Sequence, residues 1–165
     1  MKKLFVPNDF QLPEALETEK LRLRKLTADD VDKDYDAVVT SIDHLKGGLG
    51  NNWPQAGITK ERDLSDLKWH EKEFNTRRSF AYTVVTLDET KCLGCVYICP
   101  TKDPEFDAEV YLWVRKSEVG KGLDEELYAA VRKWVREKWP FERVIYPGRE
   151  ISWDDWNYKS YFYRE

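Results

Sequence analysis

Between Asp107 and Leu127 the chain passes from strand chemistry to helix chemistry across Gly120-Lys121-Gly122. Ala108 to Val114 is β-branched, aromatic or otherwise apolar apart from Glu109, the composition of a largely buried strand. After the glycines, Leu123, Leu127, Val131, Trp134 and Val135 fall at helical spacing, and Asp124, Glu125 and Glu126 fill the first turn. A strand thus points the chain into a helix N-terminus, where free N–H groups and the positive end of the dipole favour an anion.

Two common phosphate-binding patterns do not fit. A dinucleotide fingerprint needs a third glycine, and a Walker loop needs Lys-Ser/Thr after its last glycine, whereas here Gly122 is followed by Leu-Asp. The glycine-rich run Lys46 to Pro54 also lacks that ending and follows no strand. Elsewhere, Leu21, Leu23 and Leu26 give a near-alternating strand, and Thr27 with Asp30 forms a capping-box pattern opening a helix from Ala28 to about Ile42. A second helix is predicted from Thr59 to about Thr76, with Leu64, Leu67 and Phe74 on one side. Strands at Phe80 to Leu87 and Lys91 to Ile98 form a hairpin around Asp88-Glu-Thr, and Arg143 to Tyr146 is the last strand. The order implies an α+β fold with a mixed, mostly antiparallel sheet and helices packed on both faces. Residues 1–15 read as an irregular arm and 16–165 as one domain.

Ser117-Glu-Val-Gly120-Lys-Gly122 resembles the acyl-CoA signature of the GNAT superfamily of N-acetyltransferases, with Ser117 where the family prefers Gln or Arg. Leu16 to Asp30 is similar to the opening of many such domains, and the likeness spans residues 16–147. The resemblance implies the acyl-CoA N-acyltransferase fold and acetyl-CoA as acyl donor. Its pyrophosphate would lie on the amides around Val119, Gly120, Lys121, Gly122 and Leu123, with charge from Lys121 and Lys116. Backbone groups of Leu112 to Val114 would meet the pantetheine arm, and an amide near Val114 would polarise the thioester carbonyl. The family fold ends with a further helix and two strands, for which Arg149 to Glu165 is too short. Asn157-x-x-Ser160 is similar to the start of the family's last helix, whose general-acid tyrosine matches position 164. That position is Arg here, Tyr163 is one place away and Tyr161 three. Tyr163 is the candidate acid; the aromatic tail reads equally as a lid packed on the core.

An amine must be neutral to attack, and a lysine amine is only about 0.04% neutral at pH 7, so a base matters. Glu109 is the candidate, because it shares a strand face with Tyr111 and Trp113, which can raise its pKa by desolvation. His44 and His70 are weaker candidates. The net charge of −4 argues against nucleic acid and suits a cationic acceptor, either an amine-bearing small molecule or a protein N-terminus. No apolar run approaches a membrane span, and Pro7 and Asn8 cut short the N-terminal apolar run, so a cytoplasmic location is expected. Cys92, Cys95 and Cys99 lack a fourth ligand nearby; they read as buried thiols, with Cys92 and Cys95 on opposite faces, and no metal is expected. Trp and Tyr near the C-terminus, if exposed, offer a homodimer patch.

Two other functions stay open. Asp124, Glu125 and Glu126 beside the phosphate turn oppose a bound anion, which suits a family member acting as an interaction module. A carrier pocket lined by Trp53, Trp113 and the tail would bind a small ligand without turnover.

Overall fold

Residues 3–156 and 159–162 are described by a computed structural model. A three-residue edge strand, β1 (Ala15–Glu17), pairs with β2 (Leu21–Lys25), whose Leu21 and Leu23 point into the core. Thr27 and Asp30 form the capping box, the Thr27 N–H donating to Asp30 Oδ2 at 3.0 Å. The helix predicted to Ile42 is broken into a 3-10 turn (Ala28–Asp30), α1 (Val31–Val39) and α2 (Ile42–Leu45). The break has tertiary causes. Thr40 Oγ1 folds back on the Asp36 carbonyl at 2.7 Å and receives Arg115 Nη2 at 3.3 Å, while Ser41 Oγ accepts the Lys116 N–H at 3.0 Å.

Thr59 caps α3 (Lys60–Asn75) by accepting from the Arg62 N–H. Leu67 is buried on this helix as predicted, but Leu64 and Phe74 are only partly so, and its other buried residues are Asp63 and Glu73. The hairpin follows as β3 (Phe80–Thr86) and β4 (Cys92–Cys99). Its turn is held by Asp88 Oδ1, which accepts from the Thr86 and Thr90 hydroxyls and the Thr90 N–H. Then come β5 (Ala108–Val114), a single turn α4 (Lys116–Val119), the long α5 (Leu123–Lys138), β6 (Val144–Ile145) and a short α6 (Trp153–Trp156). The six strands lie in chain order, antiparallel except for the parallel pair β5–β6.

Alternation along β5 divides the interior. Val110, Leu112 and Val114 pack with Leu123, Leu127, Val131, Trp134 and Val135 of α5, the five positions at helical spacing in the sequence. Tyr111 and Trp113 face the opposite layer with Ala37 and Val38 of α1 and Leu67 of α3. With both faces covered, every residue of β5 is buried. Residues 3–14 form no helix or strand, yet Phe5 stacks on Phe80 and Phe141, and Arg77 ties the Pro7 and Phe10 carbonyls.

One orientation differs from expectation. A bulge in β4 opposite Val84 and Val85 inserts a residue between Cys92 and Cys95, so both thiols, with Cys99, enter the same layer. All three are free and buried, and burial pushes their pKa values up. Among the described residues no group of three His, Cys, Asp or Glu side chains is placed to hold a metal. No helix among them is long and apolar enough to cross a membrane.

Candidate active site

The sheet opens at its parallel pair. β5 and β6 pair only at Ala108↔Val144 and Glu109↔Ile145; β6 ends at Ile145, and the pairing goes no further along β5. The Arg115 N–H bonds the Leu93 carbonyl, so alternation turns the backbone groups of Trp113 and Tyr111 towards β4 and those of Val110, Leu112 and Val114 towards the opening. A strand edge with free N–H and C=O groups can pair with an amide-bearing ligand.

Glu109 stands where the pairing ends, with no exposed surface. Its Oε1 accepts from the Tyr111 hydroxyl and from the Tyr161 N–H, both at 2.5 Å. Oε2 makes no hydrogen bond of good geometry, nor does Trp156 Nε1, although the indole lies close enough to favour the ionised carboxylate. Burial outweighs these donors and pushes the Glu109 pKa up to about 7. The carboxyl is therefore divided between acid and base near neutral pH, as a proton acceptor should be.

At the other end of β5 the turn is more elaborate than a strand running directly into a helix. Arg115 leads into α4, and the Lys121 and Gly122 N–H groups bond back to the Glu118 and Val119 carbonyls. The Gly120 N–H also bonds back to the Glu118 carbonyl, so three of the amides proposed to cradle a phosphate are engaged. The first intrahelical bond of α5 is from the Glu126 N–H to the Gly122 carbonyl, so the amides at Leu123, Asp124 and Glu125 have no partner within the helix. Gly122 has φ +78°, a left-handed conformation, and Gly120 an ordinary −69°; a Cβ at either would meet open space. Val119 and Lys121 are exposed, and Lys121 Nζ lies 3.5 Å from Glu118. Arg149 is a residue that sequence reasoning missed. Its guanidinium clamps Asp124 with two contacts of 2.8 Å, lies over the Tyr128 ring and reaches the Leu112 carbonyl at 3.4 Å. One of the acids counted against anion binding is therefore neutralised at this spot. No spacing pattern links Arg149 to Asp124, so only folding reveals the pair.

The aromatic tail packs inwards. Trp156 is almost wholly buried, Trp153 stacks on Tyr111, and Phe162 packs against Tyr97 and Tyr111. Ser160 Oγ donates to the Leu49 carbonyl, accepts from the Phe162 N–H and lies 3.2 Å from the Tyr111 hydroxyl. Trp156 is therefore unavailable to the expected dimer patch. Tyr163 and Asn157 lie outside the described residues. Tyr161 presents its hydroxyl to Glu73, which also accepts from Ser79. Its pKa is raised, by burial first and by Glu73 second.

Between α1, α3 and the sheet lies a cavity of about 370 Å³ lined by Asp34, Asp63, Asp66, Trp53, Trp69, His70, Tyr97 and Phe162 among others. His70 is half-buried there and burial pushes its pKa down to about 4, so it is neutral at pH 7. Trp53 lines the cavity; Trp113 stands behind it, its ring 5.8 Å from Trp53 and its Nε1 donating to the Tyr97 hydroxyl. The signal for this site was the spacing Asp63, Leu67, His70, Phe74, which sets an acid on the inward stripe of α3.

The family model of the acetyltransferase (GNAT) domain matches residues 20–151. The chain belongs to the GNAT acetyltransferase family. Among solved GNAT structures, it is similar to ribosomal-protein-S5-alanine acetyltransferase from Vibrio fischeri, at 18% identity and TM-score 0.65 over 80% of this chain and 72% of that one. It is also similar to ribosomal L7/L12 α-N-protein acetyltransferase in complex with coenzyme A, at 16% identity and TM-score 0.66, covering 81% and 73%. A third is the microcin C7 self-immunity acetyltransferase bound to acetyl-CoA and AMP, at 12% identity and TM-score 0.63, covering 82% and 73%. At these identities the likeness is one of fold. No curated protein sequence matches the chain. The GNAT fold is the one that the motif resemblance implied, and its mixed, mostly antiparallel sheet agrees with the order of elements.

Proposed function

We propose that this GNAT protein transfers an acetyl group from acetyl-CoA to a primary amine, with Glu109 as general base. The supporting observation is the Glu109 carboxyl, wholly buried at the point where the β5–β6 pairing ends, with its pKa near 7. The pantetheine arm pairs with the edge at Leu112 and Val114, taking the place of Arg149 at the Leu112 carbonyl. The pyrophosphate meets the turn Val119-Gly120-Lys121-Gly122-Leu123, chiefly through the first-turn amides of α5, with Arg149 offsetting Asp124. The amine nitrogen attacks the thioester carbonyl carbon; as the C–N bond forms, its proton passes to Glu109, and the C–S bond breaks to release CoA thiolate, which takes a proton. Tyr163 is the proposed donor, since the Tyr161 hydroxyl is already held by Glu73. The tail at Tyr161 covers Glu109 and must move to admit the amine. Most of the rate comes from orientation, which can remove about 7 to 11 kcal/mol of barrier.

The acceptor class extends to a small amine or a protein N-terminus: S5 and L7/L12 acetyltransferases among the similar structures carry protein acceptors in their names, and the chain's charge of −4 suits a cation. A cytoplasmic location accords with that chemistry. The interaction-module reading draws on one observation, the Arg149 contact to Leu112, which occupies an edge carbonyl that the cofactor needs. Thermal unfolding with and without acetyl-CoA, alongside release of free CoA in the presence of an amine panel, separates the two. The acetyltransferase gains about 2.7 kcal/mol at a hundred times Kd and releases CoA only with an amine present; a protein unmoved by millimolar acetyl-CoA is the module.

A further inference from the structure

The cavity between α1 and α3 contains charge that the reaction at Glu109 does not use. The carboxyls of Asp34 on α1 and Asp63 on α3 are in hydrogen-bonding contact, and each is more than nine-tenths buried. Two ionised carboxylates cannot share such a contact, so the pair holds one proton between them. Asp63 Oδ2, inside the cavity lining, receives no donor from the rest of the protein. On the neighbouring elements Asp30 and Asp66 add like charge, His70 is neutral, and Cys92, Cys95 and Tyr97 of β4 remain protonated. The cation in the lining is Arg62, a mostly exposed side chain paired with Asp66 at 3.2 Å. Trp53, Trp69, Tyr97 and Phe162 supply ring surface around the acids.

We infer that this cavity binds an organic ammonium cation, whose charge meets the Asp34–Asp63 pair and whose hydrocarbon body lies against Trp53 and Trp69. Acid and ring faces together select such a group over an inorganic ion, because an alkylammonium gains from cation–π contact and from burying its methylene groups. Binding places a second positive charge between the carboxyls and displaces the shared proton to solvent. Affinity therefore rises with pH until the pair ionises without help. Phe162 lines the cavity and also packs on Tyr111, whose hydroxyl holds Glu109, so two rings link the cavity to the base. Resting on the acetyltransferase reading, the cavity then holds the charged end of the acceptor, which makes the acceptor a molecule with a cationic centre besides the amine that reacts.

The test is calorimetric titration of the full chain with butane-1,4-diamine and with n-butylamine, in buffers of different ionisation enthalpy, without cofactor. The diamine should bind, with net proton release at neutral pH. Asp63→Asn should weaken it by about tenfold or more while leaving acetyl-CoA affinity unchanged. Asp66→Asn, at the rim, keeps the test open should the buried variant unfold; it should weaken binding by about two- to fivefold. Absence of heat from either amine at millimolar concentration, or equal binding by Asp63→Asn, overturns the proposal and leaves the pair as a proton-sharing clamp between two helices. Acetyl-CoA turnover on other amines in that case keeps the acetyltransferase reading intact. Diamine binding without any acetyl-CoA binding removes that reading and keeps the cavity.

Discussion

The two ends of β5 carry the same proposed reaction with opposite physical means. At Glu109 a carboxyl is sealed under the tail at Tyr161, its pKa set by loss of water and by two short hydrogen bonds. At Gly120 to Leu123 the backbone turns at the surface, with Gly120 and Lys121 exposed, and its chemistry rests on backbone amides and a helix terminus. The buried end acts through a side chain whose properties its neighbours determine, while the exposed end acts through groups that every residue has. Substitution at the first should change chemistry without much change in cofactor binding, and substitution at the second the reverse.

The strongest way to break that contrast is Glu109→Gln. Turnover should fall by roughly 10²- to 10⁴-fold with acetyl-CoA affinity nearly unchanged. In the wild type, activity should climb as pH rises through about 7, the ionised carboxylate being the base; a variant with full activity and the same pH profile removes Glu109 from the mechanism. Next is Gly120→Asp. Its φ is ordinary and its Cβ meets open space, so stability should hold, whereas the added charge should weaken acetyl-CoA by about tenfold to a hundredfold by calorimetry. Equal affinity in the two proteins puts the phosphates elsewhere.

The same Glu109→Gln protein sharpens the comparison through stability. The folded pKa is raised, so the stabilising form is the protonated acid; its contribution is complete below the unfolded value near 4.5 and disappears as pH climbs through about 7. Glutamine cannot ionise. Chemical denaturation should show the variant gaining on the wild type between those limits, to a total on the order of 3 kcal/mol above pH 7, and little difference at pH 4. A pH-independent difference would mean that burial does not perturb this carboxyl.

Smaller effects belong to the exposed end. Arg149→Ala breaks a partly exposed pair with Asp124 and should cost less than about 1 kcal/mol of stability. Acetyl-CoA affinity should fall severalfold as Asp124 regains its charge; an increase instead identifies Arg149 as a plug on the Leu112 edge. Gly122→Ala and Gly120→Ala form the closing pair. The first forces a Cβ into φ +78° and should destabilise by about 1 kcal/mol, while the second should be neutral or stabilising by a few tenths. Equal values would show that the turn relaxes.

What the sequence determined by itself was whatever depends on neighbours along the chain. Period and turn chemistry located β5, α5 and the Asp88 hairpin, and the inward stripe from Leu123 to Val135, because side-chain spacing alone decides which face can be buried. Glu109 was legible for the same reason, sharing its face with Tyr111 and Trp113. Residues distant in the sequence decided the rest. Arg115 and Lys116 break the first helix, Arg149 reaches Asp124, Asp34 meets Asp63, and the tail seals Glu109. A cavity's charge and a carboxyl's pKa depend on which distant groups exclude water from it, and that exclusion exists only once the layers have closed.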